Sequence, residues 1–228
     1  MSILRALSAL VTCCALAACS VDNKDDDFQT VGVGDALGGL IAQRLGRVPD
    51  PVDARAVLSP QVLAAAQLPT MLVIQRLNDR GIAMAAVGTG ADGTVQWRDG
   101  TGGGLLLRGG ILVGTRGLGF DLHTVDEAGL RRALIAGGGQ DARRVERRLR
   151  SDNVIVADRL FCDVVPVGRE RLAYYGRTYA TTLFEERCTG GESDFTNRYW
   201  LGDDGAIRRQ VVRVSPEAGD LETVLLRE

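Results

Sequence analysis

From Thr70 onward, apolar and polar positions alternate with a period of two, and glycine, aspartate and asparagine break the pattern at short intervals. Met71–Leu77 and Ile82–Gly88 flank the turn-like tetrapeptide Asn78-Asp79-Arg80-Gly81 and read as a β-hairpin. Thr94–Arg98 is followed by Asp99-Gly100 and then by Leu105–Arg108 and Ile111–Thr115, which Gly109-Gly110 joins as a two-residue hairpin turn. In the second half Val154–Val167, Arg171–Cys188, Asp194–Leu201, Ala206–Val214 and Leu221–Leu226 read as long strands, with Asp203-Asp204-Gly205 as a tight turn. Strands joined by such short turns pair antiparallel, because parallel pairing needs crossovers of about a dozen residues or more. Runs of this length curl or close to avoid exposed edges.

Helical periodicity is confined to three places. Val33–Gly46 has Leu37, Leu40, Ile41 and Leu45 on one face, and Pro49 and Pro51 end it. Ser59-Pro60 reads as cap and first turn of a helix over Val62–Gln67 that Pro69 stops. Asp126–Ile135 reads as a helix capped by Asp126 and stopped by Gly137-Gly138-Gly139. The expected fold is therefore mainly β: an antiparallel barrel or strongly curved sheet with a few short helices. It forms a single β-rich domain over residues 31–228, with Gly137–Gln140 between two β-rich halves.

The first residues follow another logic. Arg5 is the only charge before an uncharged run from Ala6 to Ala18, and Leu16-Ala17-Ala18-Cys19 closes it. A basic start, a short apolar stretch and small residues before the cut make a secretory signal over residues 1–18. The run is too short for a bilayer core, which needs roughly 20 apolar residues. Leu16–Cys19 resembles the lipobox of bacterial lipoproteins, which implies lipidation at Cys19. Ser20 rather than aspartate after the cysteine favours outer-membrane sorting by the enteric-type rule. Residues 19–30, with Asp22 and Lys24-Asp25-Asp26-Asp27, then read as a solvated acidic tether.

Composition narrows the function. Without the signal, 26 basic and 29 acidic side chains remain, so no basic excess is available for nucleic acid. Cys13 and Cys14 leave with the signal and Cys19 carries lipid, which leaves Cys162 and Cys188. In an oxidising compartment such a pair forms a disulfide. His123 is the only histidine, which excludes a His-rich zinc site and most two-histidine mechanisms. Gly191-Glu192-Ser193-Asp194-Phe195 lacks the last glycine of a nucleophile elbow. Neither Gly32-Val33-Gly34 nor Gly88-Thr89-Gly90 completes a dinucleotide fingerprint. Glu185 and Glu186, adjacent on a strand, point to opposite faces and cannot flank one glycosidic bond. No catalytic constellation, cofactor or metal site is therefore expected.

Three stretches carry a resemblance. They are Val95–Gly100 with Leu105–Leu122, Tyr175–Tyr179 leading to Glu185–Cys188, and Phe195–Trp200 with Val214–Glu217. Together they resemble the YjbF/GfcB family of lipoproteins of exopolysaccharide and group 4 capsule operons, over roughly residues 30 to 228. Thr115-Arg-Gly-Leu-Gly-Phe-Asp-Leu122 is the most specific part. The resemblance implies a periplasm-facing outer-membrane lipoprotein of mainly β fold with a role in polysaccharide secretion or assembly, its operon also encoding export proteins; it supplies no catalytic residues.

Read for themselves, Gly117 and Gly119 allow a sharp turn that Arg116 and Asp121 flank, as a pair that braces it or as contacts for glycan or a partner. Trp97, Tyr179, Tyr199 and Trp200 are candidates to stack on sugar rings, and Arg177 and Arg198 to contact acidic sugars, although strand aromatics more often build core. The leading expectation is a non-enzymatic accessory lipoprotein that binds glycan, export partners or both. The alternatives are an envelope or outer-membrane assembly factor without glycan contact, and a carboxylate-dependent polysaccharide-modifying enzyme.

Overall fold

The computed structural model describes residues 52–118, 120–149, 154–191 and 194–228, which belong to one unit running Val52–Glu228. The expected signal peptide, Cys19, the expected tether and the helix expected over Val33–Gly46 lie outside the described residues.

Two short helices come first. α1 (Ala54–Val57) is capped by the Asp53 carboxylate. α2 (Pro60–Ala65) is capped by Ser59, whose hydroxyl accepts from the Val62 amide at 3.2 Å. Five strands follow: β1 (Thr70–Gln75), β2 (Arg80–Thr89), β3 (Thr94–Arg98), β4 (Gly104–Arg108) and β5 (Ile111–Arg116). β6 (Leu122–Asp126) leads into α3 (Ala128–Ala136) and β7 (Gly139–Leu149). The chain ends with β8 (Ile155–Tyr174), β9 (Arg177–Thr189), β10 (Phe195–Gly202), β11 (Ile207–Ser215) and β12 (Gly219–Arg227).

All twelve strands form one sheet in the order β5-β4-β3-β2-β1-β12-β11-β10-β9-β8-β7-β6, every neighbouring pair antiparallel. The expected antiparallel barrel is what forms. Its one long-range pairing is β1 with β12, from Met71↔Leu225 to Gln75↔Leu221. That pairing leaves β5 and β6, consecutive in the chain, as the two edges.

Side chains rather than a backbone ladder close this seam. Thr115, fully buried, accepts from the Leu122 amide at 2.9 Å and donates to Asp121 Oδ1 at 2.7 Å. Asp121 also takes the amides of Gly117 (2.8 Å) and Leu118 (3.2 Å), and Gly117 turns with φ of 77°. Arg116 Nη1 donates to the carbonyls of Thr115 (2.5 Å), Leu122 (3.4 Å) and His123 (3.3 Å). Arg116 and Asp121 thus brace the turn through backbone groups and not through each other. An edge left with unpaired amides is a template for association, and this seam uses up those groups.

The main core fills the barrel with Met71, Val73, Met84, Leu105, Phe184 and Val212 among others, and α3 adds Leu130, Ala133 and Leu134. α3 approaches so closely that a Cβ on Gly129 would lie 2.7 Å from the Arg143 carbonyl. A second apolar layer covers part of the outside. Ala54 and Leu63 of the first helices pack on Leu72, Val224 and Leu226, while Leu172 packs on Leu183, Trp200 and Val211.

Three differences from the sequence expectation have physical causes. First, β8 continues through Gly168-Arg169-Glu170, because Pro166 and Gly168 form a β-bulge that bends the strand without ending it. The reversal is at Tyr175 (φ 46°) and Gly176 (φ 81°), the two left-handed positions a tight hairpin demands. Second, β6 and β7 lie where no strand was expected; β7 places charged Arg144 and Glu146 at its buried inward positions, so its alternation carries no apolar signal. Third, α3 starts one residue later than its expected cap: Glu127 is the N-cap without a side-chain bond, and Asp126 Oδ1 accepts from the Ala128 amide at 3.2 Å.

Thr115→Val keeps shape but strands the buried Leu122 amide and removes one donor from Asp121. It should lower stability by about 1–3 kcal/mol in urea unfolding. Thr115→Ser, which keeps the hydroxyl, should restore most of that loss.

Candidate functional site

The barrel interior is divided by chemistry. Near the Cys162–Cys188 disulfide, β7, β9 and β10 aim Arg144, Glu146, Glu186, Asn197 and Tyr199 inward, and all five are buried. Arg144 Nε donates to Glu146 at 2.7 Å, and Nη1 lies 3.4 Å from both oxygens of Glu186. Glu186 Oε2 also accepts from Asn197 (2.8 Å) and from the Tyr199 hydroxyl (2.9 Å). Burial alone would lower the Arg144 pKa, but the carboxylates of Glu186 and Glu146 raise it, so the guanidinium stays charged. Burial first, and then the Glu186 charge, pushes the Tyr199 hydroxyl well above its ordinary value, so it stays a donor.

The disulfide joins directly opposed positions of β8 and β9, as expected from the cysteine count. Cys162, Cys188 and Glu186 place their donor atoms within 4.8 Å of one another. Metal ligation requires thiolates, and the S–S bond leaves none, so this trio acts as packing.

At the mouth bounded by the β4–β5 and β10–β11 turns, an open cleft of about 530 Å³ lies between the inner walls of β1–β4 and β11–β12. Met71, Ala86, Val95, Trp97, Leu107 and Ile207 form its apolar wall, and Asp204 and Glu228 stand on its rim. Arg208 pairs with both, with Glu228 at 2.5 Å and with Asp204. Hydrogen bonding from the Ala206 amide, against a smaller burial effect, holds the Asp204 carboxyl below the usual range. Asp204 is thus ionised near neutrality, which does not suit the raised-pKa acid that glycoside cleavage requires.

The residues singled out from sequence do not gather into one site. Trp97 lines the cleft. Trp200 is 5% exposed, donates from Nε1 to Glu170 at 2.6 Å and lies under the Arg209 guanidinium at 4.3 Å. Tyr199 is enclosed beside Glu186, and half-buried Tyr179 has Arg208 4.6 Å from its ring centre. Arg116 and Asp121 belong to the seam. Arg198 is exposed and pairs with Glu185 at 3.2 Å, and Arg177 is exposed at the start of β9. Glu185 and Glu186 do point to opposite faces, one outward and one fully buried. Sequence reasoning missed Arg144, Glu146, Asn197 and Gln210, whose only signal was a charged or amide residue on an alternating strand.

The outer face has the opposite character. Arg143, Arg147 and Arg159 project outward from β7 and β8 and are exposed. These outward arginines interrupt the continuous apolar band that a bilayer-spanning barrel turns to lipid. Among the described residues no helix is long and apolar enough to cross a membrane.

Comparison with known proteins agrees with this architecture. The family described as group 4 capsule polysaccharide lipoprotein gfcB, YjbF, matches residues 34–226. No curated protein matches the chain. Among solved structures, the crystal structure of the hypothetical lipoprotein YmcC from Escherichia coli (K12) is similar with a TM-score of 0.66 and 19% identity. The match covers 75% of this chain and 89% of that one, a likeness of fold.

Arg144→Met leaves two buried carboxylates without their cation and should cost about 3–5 kcal/mol in urea unfolding. Alkali tests the same cluster. A group whose folded pKa is raised contributes stability below its unfolded value, about 10 for tyrosine. That stability is lost as pH rises past this value. Tyr174 and Tyr175, raised mainly by burial, share the effect, so Tyr199→Phe should reduce, without abolishing, the loss between pH 9 and 11 (roughly one unit either side of that value).

Proposed function

This chain belongs to the YjbF family of group 4 capsule polysaccharide lipoproteins, and on that premise we propose that it is a non-enzymatic accessory of polysaccharide secretion. It is anchored through lipid on Cys19 at the periplasmic face of the outer membrane. There it assists assembly or export of exopolysaccharide or capsule by binding the glycan, export partners, or both. The family match over residues 34–226 carries this reading.

The structure supports it in two ways. Arginines projecting outward from β7 and β8 suit a domain held at a membrane by lipid rather than inserted in it. Arg143, Arg147 and Arg159 also make no ion pair among the described residues. On neighbouring strands they offer guanidinium forks that suit the carboxylates or phosphates of an acidic glycan.

Deletion of the gene, under conditions where its operon is expressed, should reduce surface polysaccharide. Wild type should restore it and Cys19→Ser should not. Unchanged surface polysaccharide in the deletion strain rejects the proposal. A pull-down that then recovers an outer-membrane barrel protein and no export component favours the envelope assembly factor instead.

A further inference from the structure

The cleft at the barrel mouth is the feature that neither the fold nor the secretion reading uses. Its wall is mostly hydrocarbon: Met71 of β1, Ala86 of β2, Val95 and Trp97 of β3, Leu107 of β4 and Ile207 of β11. An opening of about 530 Å³ falls inside the range of ligand pockets, roughly 300–1,000 Å³. Core-quality side chains left facing open space in this way mark a binding site more often than a packing fault.

Of the polar side chains on the wall, Thr89, Gln210 and Thr223, the amide of Gln210 is already committed. Gln210 donates from Nε2 to the Gly110 carbonyl (2.7 Å) and to Thr223 (3.1 Å), and its Oε1 accepts from the Leu112 amide (3.2 Å). A guest in the cleft therefore meets no free donor or acceptor on Gln210, and burying a hydroxyl-rich sugar there would leave its own groups unpaired. The body of the ligand is a hydrocarbon.

Charge at the mouth selects the other end. The two cations nearest the opening are spent. Arg208 is held by Asp204 and Glu228 and stacked on Tyr179, while Arg131 donates to Glu127 (2.7 Å) and to the Arg108 carbonyl (2.8 Å). Neither of these two guanidinium groups is free for a phosphate or carboxylate. Asp204 and Glu228 with one shared arginine leave the rim with a net negative charge, which accepts hydroxyl donors and repels anions.

The geometry points to a binding site for a single-chain amphiphile, with the hydrocarbon tail in the cleft against Trp97 and an uncharged, hydroxyl-bearing head at the Asp204–Glu228 rim. This site stands independently of the polysaccharide reading and is tested without any secretion assay.

The chain contains two tryptophans, Trp97 and Trp200, and Trp200 lies on the outer side under Leu172 and Arg209. In a Trp200→Phe background of the chain from Ser20, emission reports Trp97 alone. A brominated alkyl maltoside, kept below its micellar concentration, should quench that emission saturably by at least half. Ala86→Phe fills the cleft opposite Trp97 and should weaken the quenching at least tenfold, with circular dichroism unchanged; Val95→Phe serves if Ala86→Phe does not fold. A brominated fatty acid should bind at least tenfold more weakly than the maltoside, and Asp204→Asn should narrow the gap. Absent or non-saturating quenching overturns the proposal, as does quenching that survives both filling substitutions. Equal or tighter binding of the fatty acid overturns the assigned head chemistry, and displacement by free maltose alone shows a sugar site instead.

Discussion

The barrel depends on the hydroxyl of Thr115. A meander of twelve strands whose first and last members pair must bring its two remaining edges together, and these edges are β5 and β6. Five residues separate Arg116 from Leu122, and side chains of that turn, rather than a ladder, join the two edges. Thr115 and Asp121 supply the missing acceptors and Arg116 the missing donors. The segment with the most specific family likeness is therefore explained by closure of the fold, and its polar residues are not free for a ligand.

Once the barrel is shut, its two ends can differ. At the disulfide end, the charges of Arg144, Glu146 and Glu186 are buried together, each costing several kcal/mol to desolvate. Only mutual pairing and the donors from Asn197 and Tyr199 make that tolerable. Cys162–Cys188 locks β8 to β9 two residues from Glu186 and keeps the wall behind the cluster from opening. The buried charge cluster thus occupies one end, and the other opens as a cleft with mostly apolar walls among the described residues.

How far the sequence disclosed this depended on what each strand faces. Thr94–Arg98 and the Asp203-Asp204-Gly205 turn were legible because their patterns are local: alternation over a few residues and a glycine at φ of 81°. β7 was not, because Arg144 and Glu146 occupy positions where alternation demands apolar residues, and only their partner Glu186 on β9 makes burial possible. The β8–β9 arm was misdivided for a similar reason. Pro166 and Gly168 look like an ending, and only pairing to β9 on both sides of them shows a bulge. The aromatic candidates were legible as residues but not as orientations. A period of two says that Tyr199 and Trp200 face opposite ways, and tertiary structure alone says that an arm covers the outward one.

That covering arm also bears on where a ligand can act. Leu172 and Glu170 close over Trp200, and the first two helices close over Leu72 and Val224, so the apolar outer surface around β10–β12 and β1 is already used. What stays open is charged on the outside, at Arg143, Arg147 and Arg159, and apolar on the inside, at the mouth beside Trp97. These surfaces differ in chemistry: an anionic polymer suits the first and a hydrocarbon chain the second. In the proposed role, a protein anchored next to lipid while polysaccharide passes would meet both kinds of molecule, and this fold would keep them apart, one outside a closed wall and the other within it.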